Sequence, residues 1–99
     1  MQQKRDIIDQ IVSAWTGHGD FAIWLVERLN AEVTVDLGVD YGFSSFCFAL
    51  PNIGKVYAVD CFEGDEHAGF KNTYDFVLEK VQELELTNVE AVSYTHLRA

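Results

Sequence analysis

The stretch Val33-Thr34-Val35-Asp36-Leu37-Gly38-Val39-Asp40-Tyr41-Gly42-Phe43-Ser44-Ser45 constrains this chain more than any other. Val33, Val35 and Leu37 alternate as a half-buried strand does, two glycines follow four apart, and Phe43 to Leu50 is long enough for a short helix. The order is strand, tight turn, helix. Glycine lets such a turn take positive φ or lie close to a ligand, and the first N–H groups of the next helix lack intrahelical partners. The turn is therefore suited to hold a small polar molecule against main-chain atoms.

A second strand follows. Pro51-Asn52-Ile53-Gly54 stops the helix, and Lys55-Val56-Tyr57-Ala58-Val59-Asp60 reads as a strand ending on an acid. Cys61 to Phe70 has no helical or strand period and reads as a loop. Tyr74, Val77, Leu78, Val81 and Leu84 mark a helix over about 71–85 whose outer face carries Asp75, Glu79, Lys80 and Glu83, and Val89-Glu90-Ala91 opens a third strand. Upstream, Ile7, Ile8, Ile11, Val12 and Trp15 predict an amphipathic helix over 3–16 with Gly17 just past its end. Asp20 can cap a second, over 21–30, with Phe21, Ala22, Ile23, Trp24, Leu25, Val26 and Leu29 burying much of its circumference. Trp15 and Trp24 then read as packing residues, and His18, between Gly17 and Gly19, as a surface residue.

Strands alternating with helices imply an α/β fold: the N-terminal part of a Rossmann-like parallel sheet with helices on both faces, preceded by two N-terminal helices that cover it. Ligands of such sheets sit at the carboxyl ends of the strands, where both the glycine turn and Asp60 fall. Ninety-nine residues allow one small domain, and 48% hydrophobic with 13% aromatic residues make it one that folds. The formal charge of −9 argues against nucleic acid, whose phosphates are bound through Lys and Arg. No apolar run is long enough for a membrane span and no signal peptide opens the chain, so a cytoplasmic protein is expected. Cys47 and Cys61 lack C-x-x-C spacing and read as free thiols in or beside a core.

Asp60 lies 22 residues after Gly38, where a carboxylate accepts both hydroxyls of a ribose resting on the glycine turn. The plain alternative is that the acid merely ends a strand and the glycines merely form a turn. A dinucleotide needs G-x-G-x-x-G, whereas here the spacing is Asp36-x-Gly38-x-Asp40-x-Gly42, and Asp40 would repel a pyrophosphate. Asp36 and Asp40 suit a ligand that brings positive charge, such as an amino group or a sulfonium. An NAD-dependent oxidoreductase is thus disfavoured, and a non-catalytic α/β nucleotide-binding or interaction module is the main alternative. His67, beside Asp65 and Glu66, is a weak metal signal without a second ligand cluster, so no metal is expected and His67 reads as ordering its loop.

The segments Asp36-Leu37-Gly38-Val39-Asp40-Tyr41-Gly42-Phe43-Ser44, Val56-Tyr57-Ala58-Val59-Asp60 and Gly64-Asp65-Glu66-His67-Ala68-Gly69-Phe70 together resemble the class I S-adenosylmethionine-dependent methyltransferases, in the branch with a G-V-D-Y-G-F-S turn. The resemblance covers about 33–91. It implies S-adenosylmethionine as cofactor and a small-molecule or glycan O or N acceptor. It also implies roles: Gly38 and Gly42 admitting the methionine part to backbone, Asp36 acting on its amino end, Ser44 meeting its carboxylate, Asp60 gripping the ribose, and Cys61 and Phe62 bordering the adenine. Asp40 stands where the general motif has its middle glycine, and Asp tolerates the left-handed backbone that the turn needs.

The last eight residues break the pattern. Val92-Ser93-Tyr94-Thr95-His96-Leu97-Arg98-Ala99 matches, residue for residue, the translation of GTC TCT TAT ACA CAT CTC CGA GCC, which resembles a sequencing-library transposon adapter. The preceding letters CT require Ala, Ser, Pro or Thr, and Ala91 complies. The expected division is 1–32 helical cover, 33–91 a truncated cofactor-binding domain, and 92–99 a non-native tail. Such a fragment would be inactive alone, with an open strand edge and uncovered apolar faces.

Overall fold

The computed structural model describes residues 2–65, 69–70 and 72–94. Helix α1 (Gln2–Ile8) and a 3₁₀ turn (Thr16–His18) precede α2 (Gly19–Leu29), strand β1 (Val33–Leu37), α3 (Phe43–Ala49) and β2 (Lys55–Asp60). A two-residue ladder, β3 (Gly64–Asp65) with β4 (Gly69–Phe70), then α4 (Tyr74–Glu83) and β5 (Val89–Ser93) complete it. The main sheet has the order β1-β2-β5 with every pair parallel. The α/β expectation holds, and β1, α3 and β2 occupy the segments read from the sequence.

The first helix is shorter than its periodicity suggests. Gln10 and Ile11 donate to the carbonyls three residues back, at 3.2 and 3.0 Å, which tightens the chain out of the α-helix. Ile8 and Ile11 are thereby buried in the core with Phe43 and Phe46, while Val12 and Trp15 remain 79% and 59% exposed. Arg5 fixes this corner, bonding Asp9 at 2.9 Å and Asp20 at 2.7 Å. Asp20 is thus an ion-pair partner inside the first turn of α2 and not its cap, which is His18 with no side-chain bond. Gly19 gives room for this contact, since a Cβ would lie 2.7 Å from the Arg5 guanidinium and 3.1 Å from the Phe43 ring. Helix α2 buries Ala22, Ile23 and Val26 but exposes Phe21, Trp24 and Leu29, so its burial is one-sided and neither tryptophan is a core residue.

The helices cover one sheet face, not both. Parallel register puts Val56 and Ala58 of β2 on the same side as Val89 and Ala91 of β5, and the core of α3 and α4 side chains forms there. On the other side Val33, Val35 and Leu37 are 60%, 56% and 75% exposed. Strand β1 is also an edge of the sheet. The expected open edge and bare apolar face are both present.

Helix α4 is shorter than expected; it buries Val77 and leaves Asp75, Glu79 and Glu83 outside, with Leu78 exposed as well. The segment after Cys61 contains the β3–β4 ladder where only loop was expected, and Glu66, His67 and Ala68 lie outside the described residues. Strand β5 runs two residues past Ala91, pairing Val92 with Val59 and Ser93 with Asp60, and the Tyr94 N–H donates to the Asp60 carbonyl at 3.2 Å. Thr95 to Ala99 lie outside the described residues. Both cysteines are free; burial pushes the Cys47 thiol up to about 11, against a smaller lowering by Arg5.

Candidate functional site

The carboxyl ends of β1 and β2 meet through Leu37 opposite Val59, and the Gly38 N–H donates to the Val59 carbonyl at 2.9 Å. From there every second residue is left-handed: Gly38 at φ 84°, Asp40 at 54°, Gly42 at 94°. Asp40 thus adopts the backbone that a glycine would otherwise supply. The two glycines do different work. A Cβ on Gly38 would meet nothing within 4 Å, leaving open space beside the backbone, whereas one on Gly42 would lie 2.6 Å from the Phe46 ring. Gly42 serves packing, contrary to the expectation that both admit a ligand.

Asp60 organises the turn from the neighbouring strand. Its Oδ2 accepts the Asp40 N–H at 2.9 Å and its Oδ1 the Phe62 N–H at 3.0 Å, so it holds two left-handed non-glycine residues in place. Burial alone would raise its pKa. Bonds from the backbone N–H groups of Asp40, Phe62 and Val39 and from Cys61 outweigh that, and the carboxyl sits below its ordinary value.

Asp36 lies at the other side of Gly38. Ser44 Oγ and Ser45 Oγ both donate to its Oδ2 at 2.6 Å, which fixes the carboxylate; Oδ1 takes neither bond. The Ser44 hydroxyl is therefore turned to Asp36, whereas the resemblance implies that it meets an incoming carboxylate.

Two spaces adjoin here. A cleft of about 440 Å³ is bordered by Gly38, Asp40, Ser44, Asp60 and Cys61, with Trp15 above. A smaller cavity of about 160 Å³ has Asp36 and Gly38 in its wall with Phe21, Phe43 and Phe48, and again Trp15. Trp15, Gly38 and Ser44 border both. Of the expected site residues, Gly42 and Phe62 border neither space; Phe62 is buried in the core, edge-on to Tyr74 with ring centroids 5.1 Å apart. Cys61 stays at the cleft, its Sγ 3.8 Å from the Gly64 carbonyl oxygen.

Sequence reading missed Ser13, Ala14, Trp15, Thr73 and Tyr94, which also line the cleft. The apolar periodicity places Trp15 in a helix that in the structure ends at Ile8. Thr73 begins α4 without capping it, and its buried hydroxyl has no hydrogen-bond partner among the described residues. Among these residues no group of three or more His, Cys, Asp or Glu side chains could hold a metal ion, and no helix is long and apolar enough to cross a membrane.

No family model matches the chain. It is similar to an uncharacterised protein, y4gI, of Sinorhizobium fredii (strain NBRC 101917 / NGR234), with 49% identity over 63 residues. That alignment covers 59% of this chain and 7% of the relative. The chain thus spans a small fraction of the length of the curated relative it matches.

Proposed function

We propose that this chain is the cofactor-binding half of an S-adenosylmethionine-dependent methyltransferase built on a Rossmann-like sheet. The observation that carries the reading is the pair of fixed carboxylates, Asp60 and Asp36, on either side of the open backbone at Gly38. An adenosyl ligand offers a diol at one end and an ammonium at the other, donors suited to these two carboxylates. The cleft, at about 440 Å³, is of the size that small-molecule sites have, on the order of 300–1,000 Å³.

Asp60 accepts the ribose hydroxyls, Cys61 borders the base, Gly38 leaves room for the chain of the ligand, and Asp36 Oδ1 accepts from its ammonium group. The bound cofactor supplies an electrophilic methyl group; the protein positions it against an acceptor oxygen or nitrogen and excludes water. The acceptor would be a small molecule or glycan. Elements beyond these three parallel strands would supply its pocket, so the fragment alone does not turn over.

A second reading rests on the same carboxylate. Both oxygens of Asp60 already hold main-chain N–H groups, a purely structural task, and a non-catalytic α/β module would need no more. Titration calorimetry of the 99-residue chain with S-adenosylhomocysteine and with NAD separates the two. Saturable binding of the first alone is expected; binding of NAD alone overturns the proposal, and binding of neither favours the module.

A further inference from the structure

We propose that Trp15 reads positive charge on the ligand at the junction of the cleft and the cavity. This rests on the reading that one adenosyl ligand spans both. In such a ligand the sulfonium lies between the ribose and the ammonium, so with those ends at Asp60 and Asp36 it falls among the residues common to both spaces: Trp15, Gly38 and Ser44. A sulfonium has no N–H or O–H to donate, and what holds it is an oxygen lone pair or an aromatic face. Gly38 and Ser44 offer oxygen lone pairs there, the Ser44 hydroxyl donating its proton to Asp36. Among the three, Trp15 alone offers an aromatic face.

Its setting fits that task. The Trp15 backbone is pinned on both sides: its N–H donates to Ser13 Oγ at 2.9 Å and its carbonyl accepts the His18 N–H at 2.8 Å. Thr16 Oγ1 closes the turn onto the Ser13 carbonyl at 2.8 Å, and the His18 ring meets the indole edge-on at 5.2 Å. The residue nonetheless stays 59% exposed. A large aromatic side chain fixed at its root and left uncovered at the mouth of two acid-bearing spaces is arranged for contact with a ligand.

The test compares S-adenosylmethionine, a sulfonium, with S-adenosylhomocysteine, the neutral thioether, by calorimetry on the full chain. In Trp15→Leu the sulfonium should lose at least three-fold more affinity than the thioether, and Trp15→Phe should restore part of the difference. Trp24→Leu, which removes an equally exposed indole bordering neither space, should leave both constants unchanged, and circular dichroism checks that each variant folds. Equal losses for the two ligands, or none, overturn the role of Trp15 while leaving the cofactor reading intact. Failure of the unsubstituted chain to bind either ligand overturns both.

Discussion

At the scale of single residues, Asp60 joins stability to binding. Its carboxylate restrains Asp40 and Phe62 in left-handed conformations that such residues rarely adopt. Asp60→Ala should weaken S-adenosylhomocysteine binding by about 1–3 kcal/mol and lower the urea midpoint as well, since the two turns lose their common acceptor. The pH dependence has a definite sign. Because the folded-state pKa lies below the unfolded one, the carboxylate's contribution is complete above the unfolded value, about 4, and is lost as pH falls through the folded value. The difference in urea midpoint between the unsubstituted chain and Asp60→Asn should therefore be constant near neutrality and shrink toward acid pH; a difference that grew on acidification would contradict the assignment. The glycines were legible as a turn from their spacing. Their separate tasks were not, because the ring that fills the space beside Gly42 belongs to Phe46, a turn further on, and reaches back only once the helix forms. Gly42→Ala should accordingly destabilise the fold by about 1–3 kcal/mol through both the clash and the positive φ, read as a lower thermal midpoint.

At the scale of elements, the strands were read closely because period-two alternation and the breaks at Pro51 and Gly54 are local properties. The N-terminal helices were read less well. Five apolar residues at helical spacing predict a helix through Trp15, but Ile8 and Ile11 occupy the buried places beside α3 and the Arg5–Asp20 pair draws the chain into the next helix. Tertiary contacts outweighed periodicity. The connections between elements rest on fewer, definable contacts. Asn88 Nδ2 donates to the carbonyls of Ala49 at 3.1 Å and Gly54 at 2.8 Å, tying the end of α3 and the entry to β2 to the start of β5. Asn88→Ala leaves both carbonyls without this donor and should cost about 1–2 kcal/mol in urea denaturation.

For the whole molecule, the one-sided sheet is the dominant fact. Val33, Val35 and Leu37 form a bare apolar row beside an unpaired strand edge, the arrangement most prone to self-association. Val35→Lys should reduce light scattering at high protein concentration while leaving the stability within about 0.5 kcal/mol, because the residue is already more than half exposed. A marked loss of stability would mean that this face is covered in solution. The strand that continues through Val92 and Ser93 bears on the origin of the tail only as geometry: parallel pairing with β2 accepts any residues of suitable shape, since the ladder is made by main chain.

The amino-acid sequence by itself determined the alternation of strands and helices, the left-handed turn between Gly38 and Gly42, and the acid that ends the second strand, because each depends on neighbours along the chain. Only the tertiary structure decided that all helices lie on one face, that Phe62 is core, that Asp36 and Asp60 flank open backbone, and that Trp15 stands over both spaces. Those outcomes depend on which side chains, far apart in sequence, reach the same volume first and exclude the others from it.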